Sequence, residues 1–409
     1  MKKIIKNYKS TFILLGSIII GGIIGIILKD KATVLSPFGD LFINLLLTII
    51  VPLIFLTITT SIGNMKQPKR LGKILRSIIL VFIITSVISV FIGIISTRIN
   101  LVKGEDSIKI KDVLDYNIEN KNEDLNILSR TVKAISTNDF VNLISKDNII
   151  ALIVFSILVG LSINLSKEKG KKALEVLNSF NDILQKLINI IMYYAPIGLG
   201  CYFASFIGEF GTNIALGYLK TFIIYTISCL FVYFILYSLY AYLAGGKKGF
   251  VRYWKNIIPS TVTALATCSS AASIPVNTKC AKNIGVEDDV ADTTIPLGTS
   301  FHKDGSIIGS VFKIMFLVYL FNVDVSTFKV LWVSLIATIL ITAVPIGGGT
   351  ISEMLIISLM GFPVASLPIL TIIATIIDAP ATVLNVVGDS ASSMLVARIV
   401  DGKNWLKKK

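Results

Sequence analysis

Apolar runs of about 20 residues, long enough to cross a bilayer as a helix, recur along this chain with short basic stretches between them. Phe12 to Leu28 is the first and Leu41 to Ile62 the second, with Pro52 inside it. Ile74 to Ile99 is the third and holds Thr85 and Ser86, a pair that either bonds back to its own helix or serves as ligands. Residues 101–141 mix both charge signs with Asn and Ser, which predicts an external loop, part of it helical. Asn148 to Leu165, Ile183 to Phe206 and Tyr218 to Leu243 follow as spans, the middle one kinked at YYAPIGLG, Tyr193 to Gly200.

From Phe250 onward the pattern changes. Ile257 to Cys280 is too polar to face lipid, since its hydroxyls gather around Ser269 and Ser270, with Pro275 close behind. Val330 to Gly361 has two apolar arms on either side of AVPIGGGTIS, Ala343 to Ser352, and a proline followed by glycines does not continue a helix. Both stretches predict re-entrant helical hairpins. Between them Asp292 to Phe321 reads as one crossing, yet carries His302, Lys303, Asp304 and Gly305 in its middle. A charge at mid-bilayer costs roughly 2.5 to 3.5 kcal/mol and marks a substrate or ion path. Interrupted backbone there must be packed in protein or line a wet cavity. The last span, Leu367 to Ile399, sets Asp378, Thr382, Asn385 and Asp389 at spacings of four, three and four, hence on one helix face.

The order hairpin, span, hairpin, span is an internal repeat, and inverted repeats with broken helices belong to alternating-access carriers. The pattern therefore predicts an all-α polytopic membrane protein with eight transmembrane helices and two re-entrant helical hairpins. Composition agrees: 54% of the 409 residues are apolar and 16% charged, against about 25% charged in soluble domains. The net charge of +14 sits in clusters between apolar runs, which reads as cytoplasmic loops rather than a nucleic-acid surface. Both ends are basic, so both termini are expected in the cytoplasm of a multi-pass plasma-membrane protein. The first apolar run lacks a small-residue cleavage site and is read as a retained helix. Cysteines 201, 229, 268 and 280 have no C-x-x-C spacing, so neither disulfides nor zinc is expected.

At this point the residues resemble a known family, the dicarboxylate/amino acid:cation symporters, over nearly the whole chain. The matching pieces are VPLIF (Val51 to Phe55), APIG (Ala195 to Gly198), CSSAASIP (Cys268 to Pro275), IPLGTSFHKDGS (Ile295 to Ser306), VPIGGG (Val344 to Gly349) and DAPATVLNVVGD (Asp378 to Asp389). The resemblance implies an elevator-type homotrimer. Residues 1–70 and 142–208 would be its scaffold, residues 71–100 and 209–409 its moving transport domain. It implies that Asp378 holds a substrate ammonium, and that Asn385 and Ser270, beside Ser269, hold the α-carboxylate. Thr382, Ser306 and the second tip at Val344 and Gly348 would complete the pocket.

For sodium, the resemblance implies one site from Asn385, Asp389 and the carbonyls of Gly298 and His302. A second would use Ser300 with carbonyls around Thr338, Ile339 and Ile341. A third would use Thr85, Ser86 and Asp304, although the family's usual tyrosine and asparagine there are Phe82 and His302. No permanently bound cofactor is implied; sodium is the coupling ion, with protons as the alternative.

Three departures shape the expected substrate. The family's arginine for an acidic side chain is replaced at both of its positions, by Ala381 and Cys268, which favours an amino acid with a neutral side chain. Lys303 stands beside Asp304 and is read as a stand-in for a cation, as a fixed structural partner, or as the replacement that restores acidic or dicarboxylate specificity. His302, the one histidine, is read as a packed neutral ring that contributes mainly its carbonyl. Lys313 and Glu353 are unusual intramembrane charges whose distance the sequence does not give. The rivals are an intramembrane aspartyl protease, disfavoured because Val386 stands where its motif needs glycine, and a channel.

Overall fold

Apolar side chains face outward over much of this protein while a few charged ones are sealed inside, an inversion that fits lipid as the solvent. Ile19, Ile23 and Ile27 of the first helix and Ile79, Ile83 and Ile95 of the third are exposed, whereas Asp304, Asp389, His302 and Glu353 are buried. A computed structural model describes residues 2–63, 72–99, 101–102, 136–145, 148–210, 212–339, 348–403 and 405–407. Every regular element among the described residues is helical. Four helical stretches there are long and apolar enough to span a membrane, at residues 73–96, 214–265, 288–321 and 364–401.

In chain order the main helices are α1 (Lys2–Leu28), α2 (Ser36–Gly63), α3 (Gly72–Ser96), α4 (Ile149–Leu165), α5 (Glu168–Phe210), α6 (Thr212–Phe231), α7 (Tyr237–Thr267), α8 (Ser270–Ile284), α9 (Asp288–Phe301), α10 (Asp304–Phe321), α11 (Thr327–Ile339), α12 (Gly348–Met360) and α13 (Leu367–Asp401). Between α6 and α7 lies one π-helical turn, Val232–Leu236. Residues 103–135, most of the predicted external loop, and 340–347, the second predicted tip, lie outside the described residues.

Several boundaries differ from those predicted. The third helix stops at Ser96 rather than Ile99, and the Tyr319 hydroxyl donates to the Thr97 carbonyl at 2.6 Å just beyond it. The fifth starts at Glu168, well before Ile183. There its polar positions let it run past the apolar stretch that length alone would assign. The sixth crossing continues through the π turn to Gly246, whose φ of 61° breaks α7 into two helices. Only glycine adopts that angle cheaply. The first arm of the predicted hairpin therefore begins before Ile257.

At the end of that arm Cys268 takes a left-handed conformation (φ 45°, ψ 34°) and Ser269 an extended one. Ser269 then caps α8 by accepting from the Ala272 amide at 3.2 Å, as N-cap serines do. The two helices either side of this break, α7 and α8, pack on each other, as do α11 and α12.

Packing falls into two sets. α1 and α2 lie against α5, and α2 against α4, with a Cβ at Gly21 or Gly25 colliding with the α5 backbone at Gly200 or Ala204. Small residues of this kind let membrane helices approach closely. The other set surrounds α13, which touches α3, α6, α7, α8, α9, α10 and α12 and, more lightly, α1 and α5 of the first set. That helix carries most of the polar residues singled out above.

Candidate functional site

The predicted interruption is present. α9 ends at Phe301, His302 (φ −127°, ψ 103°) and Lys303 (φ −136°, ψ 71°) are non-helical, and Asp304 opens α10. A carboxylate in a first turn sits at the positive end of the helix dipole. The His302 amide still donates to the Gly298 carbonyl at 2.8 Å, closing the last turn of α9.

The extended backbone turns the His302 ring into the protein, where it is fully buried. Its Nδ1 lies 2.9 Å from Asp389 Oδ1 on α13. Its Nε2 lies 2.8 Å from Thr85 Oγ1 on α3 and 3.3 Å from Asp304 Oδ1. Phe82, one turn before Thr85, stacks on the ring with centroids 4.5 Å apart and planes 20° from parallel. Asp304 is satisfied further: Oδ1 accepts from Ser89 Oγ at 2.8 Å and Oδ2 from the Tyr237 hydroxyl at 3.1 Å. The same hydroxyl lies 2.9 Å from the Leu384 carbonyl. Gly388 makes room for this meeting, since a Cβ there would press on the Tyr237 oxygen and on Asp304 Oδ2.

The acidic groups of the two helices thus converge on one imidazole. Asp389 Oδ2, however, is buried with no hydrogen-bond partner among the described residues. A bare carboxylate oxygen away from water is costly, and Gly298 packs so closely on that carboxylate that any side chain there would collide with it. An orphaned anionic oxygen in a cradle of this kind fits a carried cation. Asn385, expected in the same cluster, bonds to Ser306 in two ways. Its Oδ1 accepts from the Ser306 amide at 3.1 Å and its Nδ2 donates to Ser306 Oγ at 3.0 Å.

The remaining predicted positions are less closely joined. Thr382 is buried on α13, whereas Asp378, one turn earlier, is exposed. Ser269 and Ser270 are half-buried at the start of α8, which is tied to α13 through Asn277. Its Nδ2 donates to the Val386 carbonyl at 2.7 Å and its Oδ1 accepts from Ser390 Oγ at 2.6 Å. Thr338 Oγ1 donates to the Ser334 carbonyl at 2.8 Å and lies 3.2 Å from Ser310 Oγ. Ile339 ends α11 and Gly348 begins α12. Val344 and Ile341, with the side chains of Ser300 and Ile339, lie outside the described residues.

Two expectations are corrected. Lys303 is not the partner of Asp304: that carboxylate is taken by His302, Ser89 and Tyr237, and the Lys303 side chain makes no hydrogen bond or ion pair among the described residues. His302 contributes its ring and not only its carbonyl, because the extended backbone aims the side chain between two carboxylates. Ser89 meets Asp304 as well, a contact the sequence reading did not include. On a helix, residues three or four apart share a face, so Thr85 and Ser89 line up, and Ser86, three residues before Ser89, is buried beside them. Tyr237 was missed altogether, since it arrives from a distant helix.

Lys313 and Glu353 do pair. Lys313 Nζ and Glu353 Oε1 are 3.1 Å apart and buried, and Glu353 Oε2 accepts from Thr371 Oγ1 at 2.7 Å. The pair joins α10, α12 and α13.

Comparison with known proteins finds relatives over nearly the whole chain. Residues 11–399 match the model of the sodium:dicarboxylate symporter family. A C4-dicarboxylate transport protein of Bacillus subtilis is 26% identical over 407 residues, covering 97% of this chain and 94% of its own. A proton/sodium-glutamate symport protein of Geobacillus stearothermophilus is 25% identical over 396 residues, covering 93% and 92%. A C4-dicarboxylate transport protein of an Anaeromyxobacter species is 25% identical over 401 residues, covering 93% and 88%.

Proposed function

The chain belongs to the sodium:dicarboxylate symporter family, and from that premise we propose that it carries a zwitterionic amino acid into the cell together with sodium. The family is one of transporters, so the protease reading falls. The observation that carries the proposal is Asp378, an exposed carboxylate on a helix whose neighbouring polar residues, Thr382 and Asn385, are buried. A carboxylate at the mouth of a polar site favours an ammonium and repels a plain dicarboxylate. One helical turn and two helical turns on, Thr382 and the Asn385–Ser306 pair supply hydroxyl and amide groups suited to the substrate's own carboxylate. Ala381 and Cys268 leave both expected arginine positions without charge, which supports a neutral side chain.

A second reading has its own support. Lys303 is half-buried with no ion pair among the described residues, and the relatives' names include glutamate and C4-dicarboxylates. In that reading the Lys303 ammonium receives an acidic side chain.

Supporting an elevator, the helices around α13 pack mainly on one another and touch the set around α5 more lightly. Supporting self-association, α5 exposes Val176, Phe180, Ile183, Leu187 and Ile190. Their spacing of four, three, four and three is that of a helix seam, and a homotrimer is the assembly proposed.

The test is competition for uptake by purified protein in liposomes, with neutral L-amino acids, L-glutamate and succinate, for wild type and Asp378→Asn. Neutral amino acids should compete best, and the variant should lose amino-acid uptake at least tenfold. Preferred succinate uptake, unaffected by Asp378→Asn, would overturn the amino-acid reading; preferred glutamate uptake lost in Lys303→Met would select the second.

A further inference from the structure

Asp304 and Asp389 are carboxylates of different helices, both fully buried, and both within reach of one point between α3, α10 and α13. Buried carboxylates must be met by a cation or by donors. In a symporter such a point is where a carried ion would sit. Here the protein fills it with its own side chain. We infer that the His302 imidazole takes the place of a sodium ion between Thr85 and Asp304, so that this chain carries one sodium fewer than a homologue with an open site there.

The ring fills the point by position. Its Nε2 lies 2.8 Å from Thr85 Oγ1 and 3.3 Å from Asp304 Oδ1, and its Nδ1 lies 2.9 Å from Asp389 Oδ1. Its two nitrogens thus meet the oxygens that an ion at this point would have to bridge.

Space and ligands exclude the metal ion. Hard cations take oxygen ligands, and the ring has none to offer. The oxygens facing the point are already engaged: Thr85 Oγ1 with the ring and Asp304 Oδ1 with the ring and Ser89. Phe82 closes one face of the ring with carbon atoms alone. The orphaned Asp389 Oδ2 makes none of these contacts, so the ring does not occupy it.

This inference rests on the symporter reading, and its test separates the two. The melting temperature of the purified full-length protein is followed against sodium chloride with choline chloride holding ionic strength constant. An ion that binds only the folded state raises stability in proportion to the logarithm of its concentration, with a slope set by the number bound. His302→Asn combined with Phe82→Tyr, which puts oxygen-bearing side chains at both positions, should steepen the slope by one ion. Thr85→Ala, a milder change, should leave the apparent sodium affinity within about twofold, because a 1.4 kcal/mol tenfold loss is expected only if a sodium ligand is removed.

An unchanged slope in the double variant, or a tenfold loss of sodium affinity in Thr85→Ala, overturns the inference; if the double variant does not fold, Thr85→Ala decides. A wild type indifferent to sodium overturns the sodium-coupled reading alone. In that case sodium dependence acquired by the double variant still supports the inference, and continued indifference overturns it.

Discussion

Lys313 Nζ lies 3.1 Å from Glu353 Oε1, and both side chains are buried where α10, α12 and α13 meet. Removing one member of a buried pair strands the other charge and costs about 3 to 5 kcal/mol, whereas replacing both with apolar residues of similar size is often neutral or better. Lys313→Met and Glu353→Gln should each lower the melting temperature markedly, and Lys313→Met with Glu353→Leu should restore most of it. A double variant as unstable as the worse single one would show that the pair does not act as a unit.

The Tyr237 hydroxyl serves Asp304 Oδ2 and the Leu384 carbonyl together. A buried acceptor that loses its donor costs about 1 to 3 kcal/mol, so Tyr237→Phe should destabilise by that order. Thermal unfolding of the variant in detergent checks this, and an unchanged midpoint would mean that water replaces the hydroxyl.

Gly298 sits where any Cβ meets the Asp389 carboxylate, whereas Gly16 has open space around it. Overpacking a tight site costs about 1 to 3 kcal/mol. Gly298→Ala should lower the apparent sodium affinity of uptake at least tenfold, and Gly16→Ala should not. Equal sodium affinities in the two variants would separate Asp389 from cation binding.

Much of this architecture could be read from residue patterns. The charges in the middle of an apolar segment located the break at His302 and Lys303, because lipid tolerates neither charge nor open backbone. Serine-rich sequence before Pro275 located the break at Cys268 and Ser269. The four-three-four spacing identified the polar face of α13, though not that Asp378 is exposed while Asp389 is sealed in.

What escaped was side-chain direction across helices. Asp304 finds His302 rather than Lys303 because an extended backbone sends neighbouring side chains to opposite sides. Ser89 was within reach of the sequence, since it lies four residues after Thr85 on the same face. Tyr237 was not, because a π turn shifts the helical register just before it.

Placing the buried Asp304 and Asp389 on a solute path coupled to sodium has a direct consequence for transport. The most direct test is uptake of a radiolabelled amino acid into liposomes holding the purified protein, with sodium outside and choline inside. Accumulation above the external concentration is expected, abolished when sodium is equal on both sides and in Asp389→Asn. Equilibration without accumulation, indifferent to the sodium gradient and unaltered in that variant, would contradict that placement.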